Sequence, residues 1–411
     1  MLAAALIFGL AAACQVIAPK LRMPALVLLL PFGFILGVVA PQFRMDSVLG
    51  GAFPVAVDLV VAVILFQGGM GLSTIPLKNS DKRVVQRLLV VGGVLTWLCA
   101  GALGHLLLGL DWSIALMLGA ILIVSGPTVV NPILEFARPV KRVRDILLWE
   151  GTLLDPLGGL FAVVVLQIVR ASNATTVGEG AVLFVSGLVV AVVAAALGLG
   201  LVYVGGHLAR GSALLGTQVL LGSVIVAVGL ANFVAEDSGL LTAVIMGFIV
   251  PRVAIKKGTS LDAAQPFFNT IVEVGIGVLF ISIAALVPAA TVLQILVPAI
   301  AMAIVLILVV RPVVAAICTR KAGLSRNERG FIAWMDPRGI VAAATASSVG
   351  AALIALDLPG AEDILPAAFM IIAVTVAVYG LTAAPVARLL KVQDVDSSTP
   401  SADGSAQSQT A

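Results

Sequence analysis

Charge is scarce in this sequence: Asp, Glu, Lys and Arg make up 11% of 411 residues, against 61% hydrophobic. A soluble chain of that length carries charged faces every few residues, so the composition excludes a soluble enzyme or binding module. Histidine occurs twice and cysteine three times. Cys14, Cys99 and Cys318 share no disulfide or metal-ligand spacing and fall inside apolar runs, where they read as small core residues. His105 and His207 lie near the ends of such runs and read as interfacial packing, so neither a metal site nor a nucleophile–base pair for an intramembrane enzyme is evident. No cofactor is implied. The net charge of +3 needs no nucleic-acid partner to explain it.

What the sequence does have is apolar runs, many of them near the length of about twenty residues that crosses the hydrocarbon as a helix. They are continuous Ala/Val/Leu/Ile stretches and not the alternating strands of a membrane barrel. Cut at polar and Pro/Gly-rich breaks, the chain gives thirteen expected spans, near 1–18, 24–40, 51–72, 85–110, 113–135, 145–170, 179–205, 214–234, 238–252, 267–287, 290–318, 328–355 and 361–391. With that count, the loops of one side and the C-terminal end hold twenty lysines and arginines, and the opposite loops hold only Arg44 and Arg170. The positive-inside rule then puts the N-terminus outside and the C-terminus in the cytoplasm, in a multi-pass protein of the cell (inner) membrane. Residues 393–411 are polar and aperiodic, which predicts a disordered cytoplasmic tail.

Two cations remain inside spans, Arg311 and Arg338, with the acids Asp58, Glu150, Asp155, Glu273 and Asp336. Each costs at least about 2.5–3.5 kcal/mol at a helix centre, so each is expected in an ion pair or on a watered path. Glu150 and Asp155 are five residues apart and point about 140° away from each other on one helix. They cannot share one task. Pro156 lacks an N–H and frees the carbonyl of Thr152, which favours Asp155 as the group facing a cavity. Glu150 is then the better partner for Arg311. Asp336 has two open readings, a second titrating site or a local ion pair with Arg338; Asp58 and Glu273 read as peripheral.

Two expected spans are broken in the middle. "VSGPTVVNP" at 124–132 carries Gly126, Pro127 and Pro132 with Ser125, Thr128 and Asn131, and "WMDPRG" at 334–339 carries Pro337 and Gly339 beside Asp336 and Arg338. Matching interruptions in two halves of opposite orientation point to an inverted-repeat transporter, whose opened helices present free carbonyls and helix ends to an ion.

These features resemble the monovalent cation:proton antiporter family of bacterial sodium/hydrogen exchangers. The resemblance rests on "LFQGGMGL" (65–72), "SGP" (125–127), "EGTLLD" (150–155), Arg311, "PRGIVAAA" (337–344) and "YGLTAAPVARLL" (379–390) in order along the chain. It implies an all-α polytopic fold of thirteen helices with inverted repeats and two discontinuous crossing helices. It implies exchange of Na⁺ or K⁺ for protons, not enzymatic turnover, with the monovalent cation bound at Asp155. Ser125 is the implied fifth-helix hydroxyl, Glu150–Arg311 the structural pair and Arg338 the second arginine; Thr128, Thr152 and Asp336 complete the candidate ion- and proton-binding set. The implied organisation is scaffold helices in 1–84, core helices in 85–178, a linker helix and scaffold in 179–289, a second core unit in 290–392, and a homodimer formed through the scaffold. "GFILG" (33–37) is a small-residue packing motif in that scaffold. The sequence departs from the family at Leu154, where Asn is common, and at Gly151, Gln67 and Gly126, where Ser, Glu and Asp are common. Asp336 stands where a small residue is ordinary. A transporter of another small solute is the alternative.

Overall fold

The computed structural model describes residues 2–21, 23–73, 75–170, 177–208, 213–236, 238–256 and 264–393. The expected tail from 394 onward, and the loop cations Arg22, Arg210 and Lys257, lie outside the described residues. The described chain is helical, with an isolated bridge between Pro139 and Gln393 and no strand. Gln393, expected in the tail, is tied down: its amide donates to the Ala137 carbonyl at 3.1 Å, and Val140 N donates to Val392 O at 2.6 Å.

The N-terminal helices are α1 (Leu2–Lys20), α2 (Leu26–Val39), the short α3 (Met45–Leu49) and α4 (Ala52–Ser73). Next come α5 (Asn79–Arg87) and α6 (Gly93–Leu108), joined by a π-helical turn at Leu88–Gly92, then α7 (Trp112–Ile121), α8 (Pro127–Ala137) and α9 (Lys141–Arg170). The middle holds α10 (Val177–Leu208), α11 (Ala213–Val234), α12 (Ser238–Lys256) and α13 (Ala264–Ala284). The last group is α14 (Ala289–Val305) and α15 (Arg311–Cys318), joined by a second π-helical turn at Leu306–Val310, then α16 (Arg326–Trp334), α17 (Ile340–Ile354) and α18 (Ile364–Leu389). Among the described residues nine helices are long and apolar enough to cross a membrane; Leu26–Val39, Trp112–Ile121, Ser238–Val253 and Ile340–Ile354 are shorter apolar helices.

Local chemistry sets the interruptions. Pro127 occupies the first turn of α8, where a missing N–H costs nothing, and Gly126 is its extended N-cap. Pro337 lies between α16 and α17, two residues before Gly339, the extended N-cap of α17. Before that break, Ser325 and Glu328 close a reciprocal capping box on α16: Ser325 N donates to Glu328 Oε2 at 2.7 Å and Glu328 N to Ser325 Oγ at 3.1 Å. The two π turns each add a residue to their helix and so rotate the turns C-terminal to them; Arg311 comes directly after the second.

Glycines let the backbones approach. A Cβ at Gly33 would sit 2.7 Å from the Ile281 backbone, and one at Gly37 would meet the Ala285 carbonyl. The GFILG motif therefore packs α2 on α13 within the chain. On α4, Gly69 meets α12 near Val244 and Phe248, while Gly247 lies against the Phe66 carbonyl and Phe66 packs on Phe268 at 5.1 Å.

At the end of the bundle that carries the basic loops, Arg142 makes a clasp. Its Nε and Nη2 donate to the Asp81 carboxylate, at 3.1 and 2.6 Å to Oδ1, while Nη1 reaches Gly323 O at 2.9 Å and Nη2 also reaches Ala322 O at 3.0 Å. One side chain thus joins α5, α9 and the turn after α15.

Candidate ion site at the helix breaks

The breaks at 122–126 and 335–339 lie against each other. Ser125 Oγ donates to Pro337 O at 2.9 Å, and a Cβ at Gly339 would come within 3.3 Å of both Gly126 N and Thr128 Oγ1. The N-termini of α8 and α17 meet there, so two positive helix ends face one small region. Arg338 serves the opposite polarity: its Nη1 donates to Ile123 O at 3.3 Å, at the C-terminal end of α7.

Asp155, on α9, enters this region. It is 0% exposed, and neither carboxylate oxygen has a hydrogen-bond partner. The Gly126 Cα lies so close that any side chain at 126 would collide with the carboxylate. Thr128 Oγ1 is likewise buried without a partner. Thr152, one turn before Asp155, is 1% exposed and its methyl lies 3.4 Å from where a Cβ at Gly68 of α4 would be. Buried polar atoms are nearly always hydrogen-bonded, so an unbonded carboxylate and an unbonded hydroxyl near the same break mark a place kept for something other than stability.

The sequence places Asp155 toward a cavity; in the structure its side chain is fully buried. Its carboxylate is enclosed, because the side-chain-free Gly126 lets the backbone close over it. A cavity of about 10 Å³, roughly one water's room, is lined by Ser125, Glu150, Gly151, Asp336 and Pro337 among others.

Glu150 and Arg311 form a fork: Nη1 to Oε1 at 2.6 Å and Nη2 to Oε2 at 2.9 Å, with Nε donating to Ile332 O at 3.0 Å. Asp336 extends the pair to a chain of four. Its Oδ2 accepts from Arg338 Nη2 at 2.8 Å, and its Oδ1 lies 3.9 Å from Arg311 Nη1. Of the two readings the sequence left open for Asp336, the geometry is that of an ion pair, with Arg311 as a second partner that the sequence reading missed. No spacing signals that contact, since it depends on how α15 packs beside the break. All four residues are at most 9% exposed, and their two negative and two positive charges balance.

The remaining singled-out groups lie elsewhere. Asp58 and Glu273 are exposed on α4 and α13. His105 Nδ1 is 2.7 Å from Leu110 O and its ring stacks on Trp112, while His207 meets Tyr203 edge-on. Gln67 donates to Asn269 Oδ1 at 2.9 Å, linking α4 to α13. Among the described residues no group of three His, Cys, Asp or Glu side chains forms a metal cluster.

The structure is similar to that of the sodium proton antiporter MjNhaP1 from Methanocaldococcus jannaschii at pH 8, with a TM-score of 0.78 and 21% identity, covering 94% of this chain and 97% of that one. That likeness establishes the fold. Among characterised sequences, the K(+)/H(+) antiporter NhaP2 of Shewanella baltica is 25% identical over 379 residues, 91% of this chain and 64% of that protein. The K(+)/H(+) antiporter NhaP of Alkalimonas amylolytica is 26% identical over 351 residues, 84% of this chain and 58% of that protein. The chain thus spans about three-fifths of the length of these relatives. The family described as "Sodium/hydrogen exchanger, transmembrane" matches residues 2–389, nearly the whole described chain, and the protein belongs to that family.

Proposed function

We propose that the protein exchanges Na⁺ or K⁺ for protons across the cell membrane by alternating access, with the cation and the proton competing for Asp155. The carrying observation is the enclosed, unbonded Asp155 carboxylate at the meeting of two broken helices. Competition for one carboxylate couples the two fluxes: the site crosses loaded with one or the other, and an empty charged site is held back by its desolvation cost. Ser125, Thr128 and the opened backbone near Thr152 complete the cation's coordination, while Glu150, Arg311, Asp336 and Arg338 hold the breaks in place.

The architecture we infer has thirteen spans. It counts the nine long and four shorter apolar helices, with α7/α8 and α16/α17 each forming one discontinuous helix, and the two discontinuous helices cross at their breaks. Two features repeat in each half: a π turn in the first core helix and a break in the second, which supports inverted repeats over 85–178 and 290–392. In this reading those units move against a scaffold formed by 1–84 and 179–289, two protomers associate through the scaffold, the N-terminus is outside and the C-terminus is cytoplasmic.

The test is proton flux in proteoliposomes on addition of Na⁺ or K⁺. The wild-type protein gives cation-dependent flux, and Asp155→Asn, which keeps the volume and removes the charge, gives none while inserting and melting normally. Near-normal flux in Asp155→Asn would sink the site assignment.

A further inference from the structure

We propose, resting on the exchange reading above, that Trp149 of α9 is a latch: gripped by α12 and by the turn after α4, it keeps Asp155 shut off from the end that carries the basic loops, and its release opens that side. Trp149 precedes Glu150 and lies six residues, about 9 Å along the helix, before Asp155 on the way to that end. Two contacts of its side chain reach out of the core unit to the scaffold. Nε1 donates to Ile75 O at 3.3 Å, in the turn between α4 and α5, and the ring meets Phe248 of α12 edge-on with centroids 5.5 Å apart. Arg252, one turn further along α12, pins that phenyl ring: its guanidinium lies 3.4 Å from the ring centroid while Nη1 donates to Phe248 O at 2.8 Å.

The gripping side is rigid. Gly69 of α4 lies against Val244 O and Phe248 N of α12, and Gly247 lies against the Phe66 carbonyl, so these two helices meet backbone to backbone with no side chain between them to yield. Nearer Asp155, α9 faces Gly68 of α4 through the Thr152 methyl, a contact that bonds nothing. Trp149 is therefore the side chain that holds. A tryptophan serving only as an interfacial anchor would turn its N–H to the headgroup layer, whereas this one gives it to a backbone carbonyl of its own chain. The magnitudes suit a latch. The aromatic pair and the hydrogen bond are each worth about two- to tenfold in an equilibrium, enough together to bias which side is open. Both are weaker than the buried fork of Glu150 and Arg311 one residue away, so the latch parts while the fork holds.

The experiment uses the full chain in proteoliposomes, with Na⁺ or K⁺ presented to one face at a time. Phe248→Leu keeps an apolar side chain and removes the ring, so more of the protein stands open to the face carrying the basic loops. The half-saturating cation concentration then falls about fivefold on that face and changes less than about twofold on the other. Trp149→Phe, which keeps a ring and loses the N–H, moves the same value in the same direction by a smaller factor, and Phe248→Tyr leaves it at the wild-type level. Equal shifts on both faces, or no shift in either Phe248→Leu or Trp149→Phe, overturn the proposal. A lower melting temperature with unchanged values on both faces overturns it too, since packing alone gives that result. If Phe248→Leu fails to fold, Trp149→Phe and Arg252→Gln, which unpins the ring, decide in its place: no shift on the basic face in either one overturns the latch. A wild-type protein without cation-driven flux overturns the exchange reading and the latch with it, whereas exchange without a sided shift in the variants overturns the latch alone.

Discussion

Arg311 and Glu150 meet through two parallel hydrogen bonds although 161 residues separate them in the chain, and neither side chain is more than 5% exposed. The fork joins α9 to α15. Removing either partner leaves the other charge buried, which costs about 3–5 kcal/mol. Glu150→Gln and Arg311→Ala are each expected to lower the melting temperature of the purified protein clearly. In the double variant the losses overlap, with a coupling of about 0.5–3 kcal/mol. Additive losses in a thermal-melt cycle would argue that the pair contributes nothing as a pair.

The parts of this molecule that lipid dictates were legible in the sequence. Apolar runs, the basic loops between them and the Pro/Gly interruptions reflect what hydrocarbon tolerates, and they carried the helical membrane fold and the position of both breaks. The 140° angle between Glu150 and Asp155 was also enough to send them to different surroundings. What the sequence did not disclose depends on contacts between distant segments. Asp336 reaching Arg311, the Arg142 clasp and the burial of GFILG against α13 are all tertiary choices, and nothing in the apolar patterning encodes a π turn.

Arg142 binds Asp81, which is nearly fully buried, together with the Ala322 and Gly323 carbonyls. Arg142→Ala strands that carboxylate and two backbone acceptors. Arg142 is itself partly exposed, at 29%, so water screens some of the loss. A destabilisation of about 1–3 kcal/mol is expected, the range for losing hydrogen bonds to a charged group. Asp81→Asn recovers part of it in the Arg142→Ala background. The measurement is the unfolding midpoint in detergent, and a midpoint unchanged by Arg142→Ala rules the clasp out as a stabilising element.

Gly126→Ala adds a methyl group where the Asp155 carboxylate lies. The carboxylate or the break must move, and a displacement of about 1 Å at a reacting group is enough for a hundredfold loss. Exchange is therefore expected to fall at least that far. Gly222→Ala, at a position with nothing within 4 Å of the added Cβ, is the control and keeps its rate. Equal rates in the two variants would mean that Asp155 is not confined by the break.

The last prediction concerns how much charge crosses per cycle. Glu150 and Asp336 are matched by Arg311 and Arg338 within one buried chain of contacts. That leaves Asp155 as the unpaired carboxylate at the breaks. If one proton replaces one monovalent cation there, no net charge moves. A net charge would couple the cycle to voltage by about 2.3 kcal/mol per 100 mV, enough to shift the balance point of the ion gradients about fiftyfold. Flux in proteoliposomes clamped at zero and at a negative potential is expected to be the same. Asp336→Asn should remain indifferent to voltage, because Asp336 is engaged by both arginines, and should melt at a lower temperature because both lose a partner. A wild-type rate that depends on voltage, and loses that dependence in Asp336→Asn, would show that Asp336 carries a second proton in spite of its two ion pairs.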